Sequence, residues 1–308
     1  MVTEMLELMG MMALLMLTGA FLKKKNVITD AGKKNLTDII LYVILPCNIV
    51  KAFCVETSTS FWKAFSIMLI VASLVQVLSM IVAKLMYNSM EDGEKQVYQY
   101  GTVCSNAGFM GNPLTQSIFG DTGLLYASIF LIPLRIVMWT AGVSYFSDKT
   151  DKKQLFKKVL LHPCMIAVYI GMFLLLTQWP LPKVLMETVS SFSSCCTAMT
   201  MMYIGTILAD VDFKSLLTKH QVYFAFLRLV FLPAVVLAGC LLCHVDSLVS
   251  AVAVFLTAMP SGSTTSLLAA KYGADEKSAA RSVVFTTALS IITLSIWCMI
   301  LKTVYGIS

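Results

Sequence analysis

Two short stretches concentrate the residues able to hold a solute. One reads Ser105-Asn106-Ala107-Gly108-Phe109-Met110-Gly111-Asn112-Pro113, the other Ala258-Met259-Pro260-Ser261-Gly262-Ser263-Thr264-Thr265-Ser266. Each interrupts an otherwise apolar run. Proline deletes a backbone donor and glycine loosens the turn, so helix is expected to break at both. Broken backbone at membrane depth survives only where protein or water covers it. A matched pair of such breaks in the two halves of a chain points to a transporter's binding site.

The chemistry follows from what a break releases. Freed N–H groups after it form the positive end of a half-helix and suit an anion; freed carbonyls before it suit a cation. Asn106 and Asn112 add amide donors and acceptors, and Gly108 and Gly111 allow close backbone approach. Pro113 is expected to end the first half-helix near Asn112, and Pro260 to break the second. Ser261, Ser263, Thr264, Thr265 and Ser266 supply hydroxyls, some of them expected to bond back to carbonyls one turn earlier. Pro46 with Asn48 is a further local opening that could line the same cavity.

Arg135 and Arg228 lie inside apolar segments with no Asp or Glu at similar depth; Glu56, Glu187, Asp210 and Asp246 are all near ends. A charge at a helix centre costs roughly 2.5–3.5 kcal/mol on insertion scales and faces a cavity or a partner. An unpaired arginine there suggests a carboxylate clamped in two places. Arg135 is the deeper and is read as fixed positive charge. Arg228, near a span start, is equally well read as snorkelling to the interface. The expected binding set is therefore Asn48, Asn106, Gly111, Asn112, Pro113, Arg135, Pro260, Ser263, Thr264 and Thr265. Enzyme signatures are absent: no buried carboxylate pair, no metal-ligand spacing, no phosphate-cradling loop. His162, His220 and His244 sit at span ends.

The elements that must position these residues are membrane helices. Of the 308 residues 58% are hydrophobic and 13% charged, where a soluble protein carries roughly 25% charge. About 20 apolar residues span a bilayer. Ten spans are expected: 2–22, 36–54, 61–87, 97–119, 124–146, 159–177, 184–208, 222–243, 248–270 and 279–301. The breaks fall in the fourth and ninth. Of the Lys and Arg residues in connections and tails, 17 lie in the odd-numbered connections and 4 on the opposite side. That asymmetry places both termini outside a cell membrane. Five spans per half force the second half to insert upside down. The fold class is thus an all-α polytopic membrane protein with two inverted five-helix repeats, residues 1–148 and 149–308, whose broken fourth and ninth helices cross.

Nucleic-acid binding is not expected despite the net charge of +6, because the lysines sit in short loops. The nine cysteines lie mostly in apolar runs and are read as small hydrophobes. Cys240-Leu241-Leu242-Cys243-His244 matches a haem-attachment pattern but is read as a helix end. The first apolar segment is too long for a signal peptide, and its basic residues follow it.

Several of these motifs together resemble the auxin efflux carrier family, in its bacterial branch of malonate and malate permeases. They are the stretch 105–113, Gly120, Trp139-Thr140-Ala141-Gly142, Leu45-Pro46, Arg228 with Pro233, Met259-Pro260 and Tyr272-Gly273. The resemblance spans nearly the whole chain. It implies ten helices in inverted repeats, a scaffold and a transport domain, and an elevator-type carrier for organic anions that is often a homodimer. Two departures bear on the substrate. Only residues 147–158 separate the halves, where plant auxin exporters have a long loop, and Pro133-Leu134-Arg135 replaces a more usual uncharged stretch. The expected function is potential-driven or secondary transport, mainly efflux, of small carboxylate anions. A sodium-coupled symporter and a non-transporting sensor on the same scaffold are the alternatives. No cofactor is expected, and Na+ and H+ coupling both stay open.

Overall fold

A computed structural model describes residues 2–54, 59–142, 144–146, 160–161, 163–209 and 218–306. Glu56, His162, Asp210, Lys214, the lysines of 147–159 and the boundary at 148/149 lie outside the described residues. The first helices are α1 (Val2–Lys24), α2 (Asp30–Phe53), α3 (Thr59–Met86) and α4 (Asp92–Val103). The chain then unwinds and resumes in a wide π turn, Ala107–Gly111, that runs into Asn112–Val137. Gly120, at φ 69°, bends this segment. The arm before it (107–119) is α5, and the arm after it is α6 (Thr122–Val137). Next come α7 (Pro163–Thr177), α8 (Lys183–Ala209), α9 (Lys219–Leu242) and α10 (Ser247–Thr257). After a second unwound stretch follow α11 (Thr264–Tyr272) and α12 (Glu276–Tyr305).

Helix therefore falls on every stretch that hydropathy marks, whole or in two pieces. Among the described residues five stretches are long and apolar enough to cross a bilayer unaided: α2, residues Trp62–Met86 of α3, α8, α9 and α12. Among the described residues the only extended pairing is a single bridge between the two breaks. A chain in lipid must satisfy its own backbone, which leaves helix as the default. Hydroxyls inside these helices bond back one turn, as in Ser73 to the Leu69 carbonyl at 2.7 Å and Ser128 to that of Leu124 at 2.9 Å.

Three π turns share one cause. Ile40–Ile44, Ala107–Gly111 and Leu227–Phe231 each end two residues before a proline: Pro46, Pro113 and Pro233. The residue before each proline donates five positions back: Leu45 to Ile40, Asn112 to Ala107 and Leu232 to Leu227. A proline ring clashes with the carbonyl four residues earlier, and widening the turn relieves it. The carbonyl of Leu229, deprived of its donor by Pro233, accepts from the Trp297 indole at 2.8 Å. This corrects the expectation for Pro113. The first half-helix ends at Val103, and Pro113 sits in the second turn of the helical arm beyond the break, directly after its π turn.

Packing sorts the helices into two groups, each drawn from both halves of the chain. In one, α1 lies on α8, while α2 lies on α7 and α8. In the other, α3 and α10 pack on the α5–α6 segment, α9 on α10 and α12, and α4 and α11 on α12. The groups meet mainly where α1, α2 and α8 run past α12 and α5. Gly19 and Gly205 bring the α1 and α8 backbones together, against the carbonyls of Met202 and Met16. Small residues at such crossings are what drive helix association where no hydrophobic force acts between helices.

Short polar caps fix the ends. The Asp275 side chain accepts from the Ser278 N–H at 3.0 Å and starts α12. Burial raises its carboxyl, but the bonds from Ser278 and Lys277 hold it below the ordinary carboxylate value. A lowered folded pKa gives stability that is present above the unfolded value, about 4, and is lost as the pH falls through the folded one. Asp275→Ala is expected to cost about 1 kcal/mol at neutral pH. Thermal unfolding in detergent should show that difference shrinking toward zero in acid.

Candidate solute site at the meeting of two broken helices

The two breaks complete one another. Ser105 and Ser261 form an antiparallel bridge. The Asn106 N–H donates to the Pro260 carbonyl at 2.8 Å, and the Gly262 N–H donates to the Cys104 carbonyl at 2.9 Å. The Ser261 N–H donates to the Thr286 hydroxyl of α12 at 3.2 Å. Peptide groups that would be bare in hydrocarbon are thus paired across the crossing. Gly262 is closely packed: a Cβ there would stand 3.1 Å from the Cys104 oxygen and 3.3 Å from that of Ser105, so the crossing backbone would have to give slightly. Gly101 is tighter still: a Cβ there would stand 2.7 Å from the Ser261 hydroxyl and 2.9 Å from the Phe224 ring.

A cavity opens beside this crossing, with about 50 Å³ in which a water-sized sphere can be centred. That is room for roughly three to five waters. It lies between the two helix groups: Leu41 and Leu45 of α2 and Cys164 of α7 face Asn106, Gly108, Arg135, Ser263 and Thr264. The first turns of α5 and α11 both reach it, through Gly108 and Phe109 and through Ser263 and Thr264. First-turn N–H groups have no acceptor within their own helix, so two positive helix ends converge on one space.

Two side chains there are left wanting. Asn106 is 2% exposed, and neither its amide nitrogen nor its oxygen has a partner. Arg135 is 7% exposed, and its Nη1 has no acceptor. No ion pair among the described residues includes Arg135. Buried polar atoms are nearly always bonded, so an unfilled amide and an unfilled guanidinium nitrogen on one cavity read as a place for a missing partner. Leu131 and Leu134, with Leu41 and Leu45, make the rest of the wall apolar.

Of the ten residues expected to bind, four line this cavity: Asn106, Arg135, Ser263 and Thr264. Thr264 also accepts from the Tyr100 hydroxyl at 3.2 Å. The other six are placed elsewhere. Thr265 pairs with the Ser261 hydroxyl at 3.1 Å, and Pro260 gives only its carbonyl to the crossing. A Cβ on Gly111 would meet the Leu256 side chain, so Gly111 is a packing contact. Asn112 donates to the Asn48 oxygen at 3.5 Å, and Asn48 donates to Ser193 at 3.1 Å. That polar string joins α5 to α2 and α8. Pro113 shapes the turn described above. Sequence reasoning missed Gly262 as a site residue, although its place inside the break signals it. It also missed Cys164 and the α2 leucines, which no local pattern marks.

Arg228 does not snorkel. It is 2% exposed, and its Nη1 donates to the Thr102 carbonyl at 3.2 Å, in the last turn of α4.

A helical, apolar chain whose two unwound helices meet beside a cavity carrying a buried amide and a buried arginine is a polytopic membrane transporter in architecture. The chain belongs to the membrane transport protein family, whose profile matches residues 2–298, in keeping with the resemblance to auxin efflux carriers. It is similar to an uncharacterized transporter of Methanocaldococcus jannaschii, 23% identical over 303 residues, covering 94% of this chain and 96% of the relative. An uncharacterized transporter of Methanothermobacter thermautotrophicus is 23% identical over 296 residues, covering 93% and 95%.

Proposed function

We propose that this protein is an elevator-type carrier for small organic carboxylate anions. One observation carries the reading: two half-helix N-termini, an unpartnered Asn106 amide and an unpartnered Nη1 of Arg135 surround one small cavity. A carboxylate offers acceptors to the free helix-end N–H groups, the Asn106 amide nitrogen and the Arg135 Nη1, and arginine suits it in particular because its planar fork matches two oxygens. The cavity walls support a solute with one charge and a short apolar body, since a second carboxylate would face leucines without a cation. The two packing groups support an elevator mode, with α1, α2, α7 and α8 as scaffold and the crossed helices carried by the other group. Ten crossings in two inverted repeats, with both termini outside the cell membrane, fit the helix order and the asymmetry of basic residues. A homodimer through the scaffold helices is the oligomer this arrangement suits.

A negative solute is driven outward by an inside-negative potential, about 2.3 kcal/mol per charge per 100 mV, so efflux requires no coupling ion. The test is flux of radiolabelled carboxylates in proteoliposomes with an imposed potential. Short monocarboxylates should exchange, faster than malonate or malate, and flux should follow the sign of the potential. A panel with no flux for any carboxylate, with or without sodium, would overturn the carrier reading and favour a sensor.

A further inference from the structure

Freed carbonyls at the end of a broken helix are a place for a cation, and here the chain fills that place itself. We infer that Arg228 is a tethered counter-ion: its guanidinium stands at the negative end of α4 and does the work a bound monovalent cation would otherwise do in holding the crossing together.

The placement starts with Pro233. Its π turn at Leu227–Phe231 rotates this stretch of α9 so that Arg228 points into the protein, while Phe226 and Val230 on either side remain 52% and 40% exposed. Nη1 donates to the Thr102 carbonyl, one of the last of α4, while Tyr87 bonds the Thr102 hydroxyl at 2.7 Å. Two residues on, the Cys104 carbonyl accepts from Gly262 in the crossing. The guanidinium thus supports the strand-like segment that pairs the two breaks. Among the described residues no carboxylate pairs with Arg228, and its Nε has no acceptor. A buried arginine without a counter-charge is held by helix-end dipoles, since a helix C-terminus carries about half a negative charge. An ammonium or sodium ion in the same place would meet the same Thr102 carbonyl.

Two consequences follow. The crossing needs no sodium to form, and removing the guanidinium leaves a cation-shaped space. Arg228 is a positioning residue, outside the cavity wall, so its role can be read without a substrate. This inference rests on the crossing geometry, and a stability readout keeps its failure separate from failure of the carrier reading.

The experiment is thermal unfolding of the purified full chain in detergent. Wild-type Tm should be the same in sodium, potassium and choline chloride at equal ionic strength. Arg228→Met should lower Tm by roughly 4–10 °C, and Arg228→Lys by clearly less. Arg228→Ala should recover at least half of its loss in dilute guanidinium, but not in urea, which has the shape without the charge. A wild-type protein stabilised by sodium alone would overturn the inference, because a separate cation site would then be doing this work. So would an Arg228→Met protein as stable as wild type, or guanidinium acting no better than urea. If the neutral variants cannot be purified, Arg228→Lys decides: a well-folded lysine variant supports the point-charge role, and one that also fails to fold overturns it.

Discussion

Arg135→Gln should weaken binding of a small carboxylate about 100-fold while leaving the protein at least as stable as wild type. The two effects have one origin. Arg135 is buried, lines the cavity and has an unsatisfied Nη1, with no ion-pair partner among the described residues. Hydrogen bonds to charged groups contribute about 1.5–3 kcal/mol each, and 1.4 kcal/mol is tenfold in affinity. Losing one charge-assisted contact, and keeping a weaker amide one, gives the stated factor. In the empty protein the same charge is a desolvation cost with no ion pair among the described residues to offset it, and neutral replacements of buried charges are often neutral or stabilising. Binding measured by calorimetry or counterflow, alongside Tm, checks both. Unchanged affinity in the glutamine variant would return Arg135 to a structural role. A sharp loss of Tm would do the same.

Gly205→Val should be among the most damaging single changes to stability. A Cβ at 205 would collide with the Met16 carbonyl and adjoining backbone, and one at 19 with the Met202 carbonyl. Neither obstacle is the end of a flexible side chain, so α1 and α8 must separate. Overpacking costs about 1–3 kcal/mol when neighbours can yield and more when they cannot. A fall in Tm of about 5 °C or more is expected, with a second, similar fall for Gly19→Val. Gly239 is the control, because nothing lies within 4 Å of its would-be Cβ. Gly239→Ala should be neutral or slightly stabilising, as alanine is the better helix former by up to about 1 kcal/mol. Equal Tm values for Gly205→Val and Gly239→Ala would show that α1 and α8 do not pack this closely.

The helices and the two breaks were legible because lipid leaves so few options. An apolar run must be helix, and Asn, Gly, Ser and Pro clustered within one must be covered by something. Asn106 and Arg135 were legible for a related reason, since a polar group at that depth requires a purpose. What the sequence did not disclose is direction. Asn112 has the same chemistry as Asn106 and lies six residues on, yet the wide turn at Ala107–Gly111 sends it toward Asn48 instead of the cavity. Pro113 announced a distortion but not its type, and the break it seemed to mark lies earlier, at 104–106. The spacing of π turn and proline, repeated at Pro46 and Pro233, would have located it. Arg228 was ambiguous from its depth alone. Its partner is a main-chain carbonyl of another helix, and no residue type signals that.

The reciprocal pairing of Cys104 with Gly262 and of Asn106 with Pro260 also dictates a timetable for biosynthesis. A ribosome delivers the amino-terminal portion first, with its unwound peptide groups still wanting partners that have not been translated. Until Gly262 leaves the exit tunnel, that segment must be sheltered by the insertion machinery or by water. Nascent chains arrested short of that point should therefore be recognised as unfinished and degraded, however many of their earlier helices have already entered the bilayer.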